Sequence, residues 1–348
     1  VFKLSASLST HSSMKALILL FISSAALAAS QCGIHLPKPN SSAARYARSI
    51  IGGRDVTTPS KWPWHLILDG ISAGMCGGTL VSSQWVLTAG HCIGNYNESG
   101  GVVYKSMIQH PKVLLVLSDP TTKMLGTAEM RNHSEFREKF SEHTFTVAEI
   151  HPDFKGDPAL INDIALLKLE TPVTFDHNVA PICLPSAAQS IPNDGQAVAT
   201  GIGYIEGPGT NNVTVGYAKL REAIVPIIPK EVCDERWSDF DGFLDDNGIK
   251  TTALLDTWSE KKIICAGSRA HGGDSGGPLM MKASDGRWFQ IGITSFINPT
   301  YKNGIDAERY PKAFTDIRPY CTWIEETTGG EVSCQEEEVT LEDVEIKI

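Results

Sequence analysis

The sequence predicts an all-β protein, and three observations carry that prediction. Gly (31) and Pro (19) are plentiful while aromatics are only 8% of the 348 residues, so turns are frequent. Helical periodicity is not sustained over any long stretch. Apolar residues fall instead into short runs bounded by turn residues, the pattern of small antiparallel strands.

The first runs are Trp64–Leu68, Gly78–Val81, Trp85–Thr88 and Ile164–Leu169. Asp163–Leu169 (DIALLKL) is apolar enough for a strand covered on both faces. Residues 94–145 are polar and irregular, which predicts inserted loops. Thr171–Pro185 carries three prolines and reads as the connection between two halves. A second set follows: Gln196–Gly201, Gly216–Ile224, Ile263–Ala266, Pro278–Met281, Trp288–Thr294 and Lys312–Thr315. Pro319–Thr327 suits a closing helix. No internal sequence repeat is visible.

The ends read differently. Met14-Lys15 opens an apolar stretch, Ala16 to Ala29, that finishes in small residues. A positive start, a short apolar run and small residues before the cut define a secretory signal peptide. The cut falls before Gln31 or after Ala28. The run is too short for a stable membrane span. We therefore expect residues 1–30 to be a signal peptide with an upstream extension, and the product to be secreted and extracellular. Residues 31–49, rich in Pro, Ser, Ala and Arg, read as a pro-segment.

The formal charge is −10, and seven acids against one Lys in Glu331–Ile348 put about −6 of it in the last eighteen residues. The body is only mildly acidic and has no basic patch, which argues against a nucleic-acid partner. The acidic tail, 328–348, reads as a solvated, mobile end, with partner binding as the alternative.

Secretion decides how the eight cysteines read. An even number in an oxidising compartment favours four disulfides. No CxxC pair, His/Cys cluster or calcium loop stands out, so no metal or other cofactor is expected. Sequons at Asn40, Asn97, Asn132 and Asn212 fit surface glycosylation. His65, His110, His133, His143 and His177 read as surface or locally hydrogen-bonded groups. The tryptophans read as core.

Three local patterns carry chemistry. Thr88-Ala89-Gly90-His91-Cys92 follows a strand, Asn162-Asp163-Ile164 begins one, and Gly272-Gly273-Asp274-Ser275-Gly276-Gly277-Pro278 is a glycine-rich turn. A serine hydroxyl is a weak nucleophile at neutral pH and needs a base within hydrogen-bond reach. Histidine suits that task because its pKa lies near the operating pH. A buried carboxylate fixes the tautomer and stabilises the imidazolium. Gly273 has no side chain, so its N–H can approach a reacting carbonyl oxygen. With the Ser275 N–H it makes an oxyanion hole. Losing one such donor typically costs about 2.7–4 kcal/mol of transition-state stabilisation.

With these motifs in view, the chain resembles the chymotrypsin/trypsin family of serine peptidases from about Ile50 to Thr327. The elements, in family order, are IIGG at Ile50, WPW at Trp62, GGTLVSSQWVLTAGHC, HPDF at His151, NDIALLKL, APICLP at Ala180, TGIG at Thr200, ICAG at Ile264 and GGDSGGPLM. The resemblance implies two antiparallel six-stranded barrels packed face to face, about 50–175 and 176–327, with a C-terminal helix. It implies a monomeric endopeptidase made as a zymogen. Its partners would be protein or peptide substrates, an activating protease and serine-protease inhibitors. His91, Asp163 and Ser275 would be the catalytic triad, and a freed Ile50 ammonium would pair with Asp274. The disulfides implied are Cys76–Cys92, Cys233–Cys265 and Cys32–Cys183, which leaves Cys321 and Cys334 for each other. A closed loop of about 15 residues, as for Cys76–Cys92, is worth roughly 3 kcal/mol.

By the same resemblance Arg269, Ala270, Gly272, Ser295, Phe296, Ile297 and Lys312 line the substrate pocket. Here the chain departs from the family. Arg48-Ser49-Ile50 replaces the usual Arg directly before Ile, so the activating cut falls after Arg48 or after Ser49. His271 stands where a pocket-wall Cys is usual. Arg269 occupies the floor position that is Asp in trypsin-like members, and Lys312 replaces a usual Gly. Two cations would select Asp or Glu before the scissile bond. The alternative is that Asp306 or Glu308 neutralises Arg269. Ile297 would narrow the entrance. Two other functions compete. One is a catalytically silent homologue that binds or regulates. The other reads Gly273-Asp274-Ser275-Gly276-Gly277 as the GxSxG elbow of an α/β-hydrolase, whose Asp and His should follow the Ser. In this chain both precede it.

Overall fold

Two sets of strands form, one on each side of the Thr171–Pro185 connection. The computed structural model describes residues 32–34, 54–56, 61–71, 74–96, 102–104, 112–116, 140–156, 160–203, 205–206, 213–214, 220–238, 243–244, 250–251, 262–267, 273–296 and 310–344. The strands before the connection are β1 (Arg54–Asp55), β2 (His65–Ile71), β3 (Gly74–Leu80), β4 (Trp85–Thr88), β5 (Gly94–Tyr96), β6 (Val102–Tyr104), β7 (Lys112–Val116), β8 (Phe140–Ile150) and β9 (Ala165–Leu169). Those after it are β10 (Gln196–Gly201), β11 (Ile205–Glu206), β12 (Val213–Thr214), β13 (Arg221–Ile228), β14 (Phe243–Leu244), β15 (Lys250–Thr251), β16 (Ile263–Ala266), β17 (Pro278–Ala283), β18 (Trp288–Phe296), β19 (Lys312–Asp316) and β20 (Leu341–Glu342). Among the described residues the helices are α1 (Gly90–Ile93), α2 (Lys230–Ser238) and α3 (Cys321–Thr328).

Strands β2-β3-β4-β9-β8-β7 close an antiparallel barrel. Strands β13-β10-β17-β18-β19-β16 run side by side, and β13 also pairs with β16, which brings the ends of that run together. Three two-stranded ribbons, β5–β6, β11–β12 and β14–β15, stand apart. The all-β, two-barrel expectation holds.

Ile164, Ala165, Leu166, Leu167 and Leu169 are all fully buried, so β9 is covered on both faces, as its continuous apolar run predicts. Each buried Leu contributes about 1.5–3 kcal/mol. Lys168 is half-buried, laying its ammonium over Trp85 at 5.1 Å from the ring centroid.

Several expectations need correction. Residues 94–145, read as inserted loops, contain β7 and the start of β8, both barrel strands. Their polar neighbours mask the short apolar core KVLLV. Arg54–Asp55, expected with the first barrel, pair instead with β13 of the second set. The run expected at Gly216–Ile224 begins at Arg221 and continues to Ile228.

Helix α2 was not expected, because it has no apolar stripe. Only Cys233 and Trp237 are buried. Cys233 bridges to Cys265 in β16, and the Trp237 Nε1 donates to the Pro311 carbonyl at 3.1 Å.

The acidic tail is not a mobile end through residue 344. Gly329 takes the left-handed conformation that stops α3, and Gly330 N–H donates to the Glu325 carbonyl. Cys334 then bridges back to Cys321. The Gln189 amide accepts from Val339 N–H at 2.9 Å and donates to its carbonyl at 2.8 Å. β20 pairs with β17, and Val332, Leu341 and Val344 are buried. The acids face outward and the interspersed apolar residues face in, so charge alone misreads this segment.

Bridges Cys76–Cys92 and Cys233–Cys265 form as the resemblance implies, and Cys321–Cys334 forms as the pair left over. Cys32 and Cys183 are oxidised as well. Among the described residues no helix is long and apolar enough to cross a membrane.

Candidate active site

His91 sits on the single turn of α1, directly after β4. Gly90 lets that turn close, because a Cβ there would lie 3.1 Å from Phe154 and 3.3 Å from the Asp163 carboxylate. Cys92 ties the turn to β3 through Cys76. Asp163 leads into β9, which pairs with β4. The two adjacent strands thus bring His91 and Asp163 together.

Asp163 is 1% exposed and holds His91 twice. One oxygen accepts from the His91 backbone N–H at 2.8 Å. The other lies 2.8 Å from His91 Nδ1 and accepts from the Ser295 hydroxyl at 2.5 Å. Burial pushes the Asp163 carboxyl pKa up. The His91 charge and the hydrogen bonds from His91 and Ser295 outweigh that and leave it below the ordinary value. An ionised carboxylate only accepts, so Nδ1 carries the proton and the neutral ring offers Nε2 as a base.

Ser275 is positioned from the other barrel by a turn of glycines. Gly273 (φ +95°) and Gly276 (φ +79°) occupy the left-handed region. A Cβ on Gly276 would lie 2.3 Å from the Thr88 hydroxyl and 2.4 Å from the Gly77 carbonyl. Gly77 N–H donates to the Ser275 carbonyl at 2.7 Å, and Gly276 N–H to the Thr294 carbonyl at 2.8 Å. Gly77 neighbours Cys76, whose bridge leads to Cys92 beside His91. A short path of hydrogen bond and disulfide therefore links the Ser275 turn to the His91 turn.

Asp274 is buried, and its carboxylate accepts from Gly203 N–H at 2.6 Å. A Cβ on Gly201 would fall 2.0 Å from Asp274 Oδ1, and one on Gly203 2.6 Å from its carboxyl carbon. The TGIG motif thus has a local purpose, since its two glycines make room for this carboxylate. The expected partner Ile50 lies outside the described residues.

Of the expected pocket residues, Ser295 and Lys312 are buried in β18 and β19. Phe296 ends β18, its backbone paired with Ala313. Arg269, Ala270, Gly272 and Ile297 lie outside the described residues, as do His271, Asp306, Glu308 and the sequons at Asn40, Asn97, Asn132 and Asn212. Burial lowers the Lys312 pKa to about 7, against the pull of the Asp274 charge.

His65 is not a surface or local group. It is 2% exposed, and its Nδ1 lies 2.9 Å from the Thr200 hydroxyl of the other barrel. Burial depresses its pKa to about 3. Sequence reasoning also missed Thr315, whose hydroxyl donates to the Asp163 carbonyl at 2.9 Å, and Tyr320, whose hydroxyl donates to Asn162 Oδ1 at 2.9 Å. Neither has a local sequence signal, because both come from strands or helices 150 or so positions away.

A depression of about 350 Å³ lies outside this site, lined by Ile227, Ile263, Lys230, Asp234, Asp316 and Arg318. Among its charges Lys230 pairs with Asp234 and Arg318 with Asp316, while Lys262, which also lines it, lies over the Tyr320 ring. Cys76, His91 and Cys92 also lie close together, but the two sulfurs form a disulfide and offer no thiolate.

A two-barrel fold with a buried Asp held against a partly exposed His and a Gly-Asp-Ser-Gly-Gly turn is the architecture of a peptidase family. The family model described as Trypsin matches residues 50–324, and the chain belongs to that family. Among curated relatives, a mouse (Mus musculus) tryptase is 32% identical over 79% of this chain and 87% of its own length. Human (Homo sapiens) chymotrypsin-like elastase family member 3B is 28% identical over 82% of this chain and 91% of its own. An ovochymase from Halocynthia roretzi is 28% identical over 85% of this chain, which spans only 16% of that protein's length.

Proposed function

We propose that the chain is a secreted serine endopeptidase, made as a zymogen, that hydrolyses peptide bonds through an acyl-enzyme. Ser275 is the nucleophile, His91 the general base and Asp163 the residue that orients His91. The observation that carries the reading is the two-point hold of buried Asp163 on His91, which leaves Nε2 as the acceptor. Ser275 Oγ attacks the scissile carbonyl carbon while His91 Nε2 takes its proton. The tetrahedral oxyanion is held by the N–H groups of Gly273 and Ser275. Collapse expels the amine, which receives the proton from His91. Water, deprotonated by the same imidazole, then releases the acid and restores Ser275.

Activation frees Ile50, whose ammonium pairs with Asp274. Cleavage after Ser49 gives that terminus directly, while cleavage after Arg48 leaves one residue too many. The buried ammonium of Lys312, with Arg269, favours Asp or Glu before the scissile bond.

The test begins with the secreted zymogen, cut and checked for an Ile50 terminus. A fluorophosphonate probe should label the wild type and spare Ser275→Ala. A peptide library should be cut after acidic residues. An unlabelled protein with a verified Ile50 terminus overturns the peptidase reading. Cleavage after Lys or Arg overturns the acidic preference alone.

A further inference from the structure

Leu160 and Asn162 are the only non-glycine residues with positive φ among those described, at 47° and 49°. Leu160 lies three residues before Asp163, and Asn162 immediately before it. Left-handed backbone is unfavourable for L-residues, and Asn tolerates it best because its short side chain can bond locally. The turn has a clear product. Ile164 N–H donates to the Asn162 carbonyl at 2.8 Å, folding the chain around Asp163. The conformation of Asn162 therefore sets where the Asp163 carboxylate points.

Two bonds clamp the Asn162 side chain. Its amide donates to the Asp153 carbonyl at 2.9 Å, within the HPDF turn. Its oxygen accepts from the Tyr320 hydroxyl at 2.9 Å. Tyr320 is 1% exposed and belongs to the 3₁₀ turn Arg318–Tyr320 that leads into α3. The ring is itself fixed. His151 packs edge-on at 5.2 Å between centroids, and the Lys262 ammonium lies 5.0 Å over its face. Burial, then the charges of Asp163 and Asp316, keep the phenol protonated far above neutrality. It stays a donor wherever the site works.

Resting on the peptidase reading above, we propose that Tyr320 is a positioning residue for the Asp163–His91 pair, holding Asn162 in its left-handed turn so that Asp163 faces both His91 donors. Its effect passes through Asn162, which accepts from the Tyr320 hydroxyl. The clamp also joins the two halves of the chain, since Tyr320 follows β19 while Asn162 precedes β9. The 3₁₀ turn before the closing helix thereby bears on the geometry of an Asp–His pair carried by the first barrel.

The test compares Tyr320→Phe, Asn162→Gly and the double variant in the activated full-length chain, each normalised by active-site titration. Glycine adopts the left-handed turn without a side chain, so it removes the clamp while permitting the backbone. Tyr320→Phe should lower kcat about five- to tenfold, with KM changed less than about twofold, the effect of one lost hydrogen bond. The acidic limb of the pH profile should move to lower pH, because a loosened Asp163 supports the His91 imidazolium less. In the Asn162→Gly background, Tyr320→Phe should add nothing further. NMR titration of the His91 imidazole reads the same shift without turnover. That readout separates this inference from the peptidase reading, which fails if the verified wild type neither labels nor cleaves. A Tyr320→Phe variant with unchanged kcat, pH limb and His91 titration overturns the inference, even if its Tm falls. Equal losses in both backgrounds overturn it as well.

Discussion

Acid should destabilise this fold most strongly through His65. Its imidazole is fully enclosed between β2 and β10 and holds its pKa near 3, against 6.5 for the free side chain. Between those values the unfolded chain binds a proton that the folded chain refuses. Stability therefore rises with pH across that window. It is fully present above about pH 6.5 and is lost progressively as pH falls toward 3. Each unit of pH below 6.5 costs about 1.4 kcal/mol, so the loss is about 2 kcal/mol at pH 5 and about 3 at pH 4. A His65→Gln variant isolates the effect, because an amide can keep the bond to Thr200 and does not titrate. Urea unfolding of Ser275→Ala, which cannot digest itself, should be followed from pH 7 to pH 4 with and without His65→Gln. The stability gap between the two proteins should shift by about 2 kcal/mol in favour of Gln by pH 5. Parallel curves across that range would refute the argument, because the imidazole would then titrate as it does in the unfolded chain.

Other outcomes follow from the same geometry. Asp163→Asn should keep the fold but lower kcat by about four orders of magnitude, because an amide that donates to Nδ1 reverses the tautomer; peptide turnover checks this. Lys312→Ala should reduce kcat/KM for acidic peptides about ten- to a hundredfold and spare apolar ones. In the wild type the acidic preference should fade above about pH 7, as Lys312 loses its proton; flat selectivity from pH 6 to 9 would contradict this. Gly203→Ala puts a methyl group 2.6 Å from the Asp274 carboxyl carbon and should cost about 1–3 kcal/mol in denaturant unfolding, with activity falling further. Truncation after Glu336 keeps Cys334 but deletes β20 and buried Leu341 and Val344. It should lower Tm by several degrees at unchanged kcat, since each such side chain contributes about 1.5–3 kcal/mol. An unchanged Tm would mean that the tail does not pack.

Much of the site was legible because its chemistry is written locally. The one-turn helix that carries His91 has Gly before it and a bridged Cys after it, and all three stand together at 90–92. The Ser275 turn needs positive φ at two places, and glycine occupies both. Strand β9 announced itself because burial on both faces demands a nearly continuous apolar run, broken here only by the half-buried Lys168. The rest resisted for a common reason, which is distance along the chain. Thr315 and Tyr320 act on Asp163 and Asn162 from more than 150 positions away, and a lone Thr or Tyr carries no mark of such a partner. His65 looked ordinary because the neighbour that buries it, Thr200, belongs to the other barrel. The tail misled for a different reason. Seven acids in eighteen residues suggest a solvated end, yet apolar side chains spaced among them decide the outcome. An exposed carboxylate costs a packed strand almost nothing, whereas Val332, Leu341 and Val344 gain by leaving water. Net charge therefore describes which face of the tail looks outward, and only the spacing of its apolar residues shows that it has an inner face at all.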